Sequence, residues 1–151
     1  MIAAAAFLAF AAGCAHAPAK PGAGNAYTPS IGEKALATAL KMEGRPYKFR
    51  GEAPGGFDCS GLVRYSYLTA GMDVPHGTGA QLKVSHSVGL SKARKGDLVF
   101  FEQEGKKFSH VGLFVGRNEF IHAPSTGGKV RKDSLDDPYW KKHYLDTRRF
   151  N

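Results

Sequence analysis

Three side chains in this sequence have the chemistry for nucleophilic catalysis: the thiol of Cys59 and the imidazoles of His110 and His122. Acyl transfer through a thiol needs a sulfur nucleophile, an imidazole to carry its proton, and a polar group to orient that imidazole. Cys59 lies in Phe57-Asp58-Cys59-Ser60-Gly61-Leu62-Val63-Arg64, directly after the turn-forming Pro54-Gly55-Gly56. The residue types favour Cys59 as nucleophile and His110 as general base, later acid to the leaving amine. His122 would hold the His110 ring through its far nitrogen, and the N–H of Cys59 is the candidate oxyanion donor. Each residue also has a plainer reading. A cysteine taken alone is more often a small hydrophobe, and a histidine facing a sheet is usually a satisfied core residue. The three together could hold zinc with water as fourth ligand, but no C-x-x-C or H-x-x-x-H spacing accompanies them.

The elements that must position these groups are visible in the periodicity. Cys59, Leu62, Val63, Ser66, Tyr67 and Ala70 follow the spacing of a buried helical stripe, with Asp58 as cap and Gly71 as stop. The thiol then lies in the first turn, where free N–H groups and the positive dipole end favour an anion. That placement predicts a lowered thiol pKa. An earlier helix over 31–43 sets Ile31, Ala35, Leu36, Ala39 and Leu40 on one face. Ser30 is its expected N-cap, Glu33 stands at the capping-box position, and Gly44 ends it. Residues 44–56 read as loop, and a short helix is expected over 78–84.

Leu98 to Phe101 is a continuous apolar run and hence a buried strand, followed by a polar loop over 102–107. His110 to Val115 reads as a strand with His110, Gly112 and Phe114 on one face. Glu119 to Pro124 is the returning strand, and the turn between them decides whether the histidines meet. A two-residue turn at Arg117-Asn118 would put His110 and His122 on opposite faces. A three-residue loop, Gly116 to Asn118, makes 115 face 119 and 112 face 122, so this loop is expected. His122 then stands opposite Gly112 and diagonal to His110, about 7–8 Å away between backbones. Further strands are expected near 128–131 and 144–150, with a short helix or turn at 136–142. His76, His86 and His143 fall in polar stretches and are expected at the surface, and His16 in a linker. Asp97 reads as a turn residue at a strand start.

The 151 residues suffice for one domain with a core, and the composition (42% hydrophobic, 23% charged) excludes a disordered chain. Lys and Arg outnumber Asp and Glu by 21 to 13. The excess is spread along the chain without a nucleic-acid motif, so it suits a polyanion in general and no nucleic acid in particular. Residues 1–13 are wholly apolar, too short to span a bilayer but matching the core of a secretory signal. Ala11-Ala12-Gly13-Cys14 resembles the lipobox of bacterial lipoproteins, cut before a cysteine that is then lipidated. Ala11 replaces the usual leucine, and no Lys or Arg precedes the run, which leaves open a start upstream of Met1. Ala15 after the cysteine resembles outer-membrane sorting. Residues 14–30 read as a Pro/Gly/Ala linker with a reach of roughly 20–25 Å, and 31–151 as the folded domain. With Cys14 acylated, Cys59 is the only other cysteine, so no intramolecular disulfide can form. A single thiol in an oxidising compartment suggests use rather than stapling.

The stretches PYKFRGEAPGGFDCSGLVRYSY, GDLVFF, SHVGLFVG and FIHAPSTG, in this order, resemble the NlpC-type cysteine peptidases of bacterial peptidoglycan. The resemblance covers roughly residues 31–151. It implies an α+β fold with a papain-like core: an antiparallel sheet packed against an N-terminal helical subdomain, with the nucleophile at a helix start. It implies cleavage of amide bonds in stem peptides or their cross-links, by Cys59, His110 and His122 and without a cofactor or metal. Substrate contacts by Tyr47, Asp58 and Ser60 are implied as well. The sequence departs from the family pattern at Arg50-Gly51, where a Gly-Gly pair is usual, and at His76, where an arginine is common. An exported monomer is the expectation, on the periplasmic face of the outer membrane if Cys14 is lipidated, and periplasmic or secreted if residues 1–13 are a plain signal peptide. The other readings are a non-catalytic wall-binding module and a thiol acyltransferase of similar fold.

Overall fold

The computed structural model describes residues 26–126 and 128–151. The apolar run 1–13, Cys14 and most of the expected linker lie outside the described residues. In chain order the elements are α1 (Pro29–Lys41), β1 (Glu52–Ala53), β2 (Gly56–Phe57), α2 (Cys59–Thr69) and α3 (Thr78–Lys83). Then come β3 (Ser85–Ser87), a 3-10 turn (Leu90–Lys92), β4 (Leu98–Gln103), β5 (Lys106–Gly116) and β6 (Glu119–His122). The chain closes with β7 (Arg131–Ser134), α4 (Pro138–His143) and β8 (Tyr144–Phe150).

Helix α1 starts earlier than expected. Thr28 caps it, accepting from Ile31 N–H at 3.3 Å, and Pro29 takes the first position, where its missing N–H costs nothing. Ser30 is inside the first turn, its hydroxyl 3.0 Å from that of Thr28. Tyr27, expected in the linker, is already anchored: the Arg149 guanidinium lies 5.6 Å over its ring. Helix α2 begins at Cys59, with Asp58 Oδ1 accepting from Gly61 N–H at 2.7 Å.

Six strands form one antiparallel sheet in the order β3-β8-β4-β5-β6-β7. Period two divides its side chains as expected. Phe100, Val111, Leu113 and Ile121 face Ala35, Leu36, Leu62 and Val63 of α1 and α2. Val99, Phe101, Phe114 and Phe120 face Trp140 of α4. The sheet is thus covered on both sides, and burial of these apolar faces at about 25 cal/mol per Å² drives its assembly.

Two loop expectations and one strand position are corrected. Part of 44–56 is the hairpin β1–β2. The polar loop over 102–107 is a tight turn: Glu104 and Gly105 both have positive φ, 53° and 70°, which lets β4 and β5 run nearly to each other. Strand β7 lies at 131–134 rather than 128–131, because its residues, RKDS, pair with β6 through the backbone and carry no apolar signal. Strand β3, the polar SHS, was undetectable for the same reason.

The turn between β5 and β6 meets the expected register by a different route. It is a two-residue turn, Arg117 and Asn118, both left-handed at φ 53° and 56°. Gly116 pairs with Glu119, whereas Phe114 pairs with Phe120 and Leu113 with Ile121, so Val115 is an extra, bulged residue. The bulge adds the one residue that restores parity. His122 therefore comes to lie against Gly112, and a Cβ on Gly112 would sit 3.2 Å from that of His122.

Candidate active site

Close backbone packing fixes where helix α2 starts. Asp58 N–H donates to the Gly51 carbonyl at 2.9 Å, and a Cβ on Gly61 would collide with that same carbonyl oxygen. Cys59 then opens into a cleft of about 240 Å³, which it lines with His110, Tyr47, Gln103, Ser109 and Ala123. Strand β5 reaches the sulfur as well: Val111 N–H donates to the Cys59 sulfur. Cys59 is a free thiol, partly exposed to the cleft.

His110 and His122 are both buried. Nε2 of His110 lies 2.7 Å from Nδ1 of His122. Trp140 of α4 braces the pair, stacking on His110 at 5.6 Å and meeting His122 edge-on at 4.9 Å. Asp137 sets Trp140 in place by capping α4 through Tyr139 N–H at 2.9 Å. The structure thus brings the three sequence-selected residues to one cleft and its floor, with His110 between the other two.

The far side of His122 holds a residue the sequence did not single out. Asp133 Oδ2 is 2.8 Å from His122 Nε2 and 3.0 Å from Arg131 Nε. A period-two strand beginning at 131 would have flagged Asp133 as facing the same way as Arg131, but the strand was expected three residues earlier. Both ring nitrogens of His122 are hydrogen-bonded, leaving no lone pair for a metal in this arrangement.

Burial dominates the electrostatics. It pushes the Cys59 thiol up to about 11, against the opposing pull of the Val111 N–H. The lowered thiol pKa expected from the helix start is therefore not found, because desolvation outweighs the free N–H groups of the first turn. Burial likewise takes His110 down to about 3, with His122 adding to the effect and Asp133 opposing it. His122 is lowered by burial against the pull of Asp133. Asp133 itself sits below the usual carboxylate range; burial works against this, but the hydrogen bonds from His122 and Arg131 win. Neither a lone thiolate nor a lone imidazolium is favoured here, so a proton passing from Cys59 to His110 must create both charges together.

The residues linked to substrate by resemblance divide into two groups. Tyr47 lines the Cys59 cleft. Asp58 and Ser60 line a neighbouring recess of about 510 Å³ with Phe49, Arg50 and His76. The Ser60 hydroxyl is committed within the protein, donating to Asp58 at 3.0 Å and accepting from Gly77 N–H at 3.1 Å. His76, expected at the surface, is half-buried and bridges two elements. Its Nε2 lies 2.9 Å from Asp58 Oδ1 and its Nδ1 3.2 Å from Glu52 Oε2, joining the β1–β2 hairpin to the cap of α2. His86 and His143 are peripheral, bonded to Asn151 and to the Tyr139 carbonyl. Asp97 is fully buried, and Arg149 holds both its oxygens at 2.8 and 2.7 Å.

Known proteins share this arrangement of chain and fold. Over 120 residues the chain is 37% identical to murein DD-endopeptidase MepH of Escherichia coli, covering 76% of this chain and 44% of that protein. It is 38% identical over 108 residues to the E. coli murein DD-endopeptidase MepS/murein LD-carboxypeptidase, covering 71% and 56%. The chain thus spans about half the length of these curated relatives. A Staphylococcus aureus protein whose crystal structure is described as similar to lipoprotein, NLP/P60 family, superposes with a TM-score of 0.73. The two are 30% identical, with 87% of this chain and 45% of that one covered. The fold is the α+β, papain-like one that the resemblance implied. The NlpC/P60 family profile matches residues 44–149, from the loop before Tyr47 to the last strand, and the chain accordingly belongs to the NlpC/P60 family.

Proposed function

We propose that this protein is a peptidoglycan hydrolase, a cysteine endopeptidase that opens amide bonds of stem peptides or diaminopimelate cross-links. The observation that carries this reading is the cleft where Cys59 and His110 meet, with the far nitrogen of His110 already bonded to His122. His110 takes the thiol proton as the sulfur attacks the scissile carbonyl, and the Cys59 N–H steadies the developing oxyanion. The C–N bond then breaks, His110 gives its proton to the departing amine, and an acyl-enzyme thioester remains. Water, deprotonated by His110, releases the acid and restores the thiol. Creating the two charges as a pair in a buried site suits this sequence, since every proton transfer in it passes through His110 and none leaves a lone thiolate or a lone imidazolium.

Both E. coli relatives are named murein DD-endopeptidases, which supports the D-alanyl–diaminopimelate cross-link as the bond cut. Tyr47, at the rim beside Cys59, contacts the substrate, while Asp58 addresses its polar groups in the adjoining recess and Ser60 serves there by holding the Asp58 carboxylate. A signal over 1–13, a lipidated Cys14 and the linker 14–30 would hold the domain 31–151, as a monomer, at the periplasmic face of the outer membrane. The test is digestion of diaminopimelate-type sacculi with wild type and Cys59→Ala, with mass spectrometry of the products. Loss of cross-linked dimers with intact stems, in wild type alone, is expected. Stems cut after D-glutamate would move the assignment to the intra-stem bond. Identical profiles for wild type and variant would remove the hydrolase reading.

A further inference from the structure

We propose that Asp133 is a positioning residue of the reaction, fixing the tautomers of both histidines so that the base nitrogen of His110 is free. The proposal rests on the reading of Cys59 and His110 as nucleophile and base, and it follows from the direction each hydrogen bond must take.

An ionised carboxylate can only accept hydrogen bonds. Asp133 Oδ2 lies 2.8 Å from His122 Nε2, so that nitrogen carries the proton. Arg131 Nε donates to the same oxygen at 3.0 Å and holds the carboxylate in its charged form and in place. A neutral imidazole has one N–H and one lone pair, so His122 Nδ1 is left as an acceptor. The group 2.7 Å away is His110 Nε2, which must therefore be the donor. His110 then has its lone pair on Nδ1, the remaining nitrogen, and this is the atom that can receive the Cys59 proton. Three consecutive bonds thus transmit one instruction from β7, across β6, to β5.

Without the carboxylate the chain can reverse. His122 can carry its proton on Nδ1 and donate to His110 Nε2, which moves the His110 proton onto Nδ1. That tautomer cannot accept a proton from the thiol. The same logic, an acid that selects the tautomer of a base, governs the Ser-His-Asp triad, where losing it costs several orders of magnitude in rate. Here the carboxylate acts one imidazole further out, so a smaller effect is expected. Asp133 also sits where it can offset the positive charge when His110 is protonated, with Arg131 on the same strand the one cationic Lys or Arg bonded to it among the described residues.

The experiment is 15N NMR of the histidine rings in the full chain, near neutral pH, for wild type, Asp133→Ala and Asp133→Asn. Steady-state kinetics on a cross-linked muropeptide accompany it. Wild type is expected to show protonated Nε2 on both His110 and His122. Asp133→Ala is expected to populate Nδ1–H on His110 and to lower kcat about tenfold or more, with KM within about twofold. Asp133→Asn keeps an acceptor facing Arg131 and His122, so it should retain the tautomers and recover part of kcat. Wild-type His122 protonated on Nδ1 would overturn the proposal with no variant needed. So would an Asp133→Ala protein with wild-type tautomers. If wild type shows the expected tautomers but cleaves no peptidoglycan, the fault lies in the functional reading and not in the hydrogen-bond chain.

Discussion

His110 Nε2 and His122 Nδ1 are 2.7 Å apart, although their residues come from strands joined by a turn of the parity that should have separated them. The bond leaves His110 no freedom to rotate about its Cβ without losing a partner in a buried place. Replacing His122 by alanine should therefore lower kcat about 100-fold with a smaller change in KM. His122→Asn keeps a side-chain acceptor near His110 Nε2 and should recover part of that loss. Equal kcat in wild type and His122→Ala would show that Trp140 stacking alone holds the base.

Burial holds the Cys59 thiol up at about 11 when it titrates alone. A thiolate near neutral pH thus depends on a proton acceptor in the cleft. His110→Ala should alkylate with iodoacetamide at least about tenfold more slowly than wild type at pH 7. Its rate should keep climbing toward pH 11. Equal rates in the two proteins would mean that the helix start alone activates the sulfur.

Acid should destabilise the fold through the same pair. His110 is held at about 3 against an ordinary value of 6.5, so the unfolded chain binds more protons between these values. Its contribution is fully present above pH 6.5 and is lost as pH falls toward 3, on the order of a few kcal/mol. Denaturant titrations followed by the fluorescence of Trp140, the single tryptophan, should show stability declining from pH 6.5 to 4.5. The decline should be shallower in His110→Ala. A flat profile for wild type in that window would contradict the assignment.

Arg50 stands where the resemblance leads one to expect glycine, and its backbone is left-handed at φ 56°. A side chain there costs about 1–2 kcal/mol, while glycine returns about 0.5–1 kcal/mol of that as chain entropy. The contact between its guanidinium and the Phe49 ring, at 5.7 Å, is on an exposed aromatic and offsets little. Arg50→Gly should raise stability by about 0.5–1 kcal/mol, measured as an upward shift of Tm. A lower Tm would show that the Arg50–Phe49 contact matters more than the backbone strain.

The elements with strong periodicity were legible because burial of one face leaves its period in the residue types. The stripe of α2, the apolar run of β4 and the alternation of β5 and β6 all follow from which side chains must leave water. The polar strands β3 and β7 left no such trace, since backbone pairing places no demand on side-chain hydrophobicity. Missing β7 meant missing Asp133. His76 was also missed, because an imidazole in a Pro/Gly turn gives no sign of bonding a helix cap.

The sequence alone determined the chemistry on offer: a cysteine at a helix start, two histidines on neighbouring strands, and a glycine leaving room for the second. It did so because capping, periodicity and residue type are local properties. The tertiary structure decided how those groups are tuned. A bulge at Val115 set the parity, β7 supplied Asp133 to the far side of His122, and burial overrode the helix start to raise the thiol. These depend on register and desolvation, which arise only when distant segments pack together.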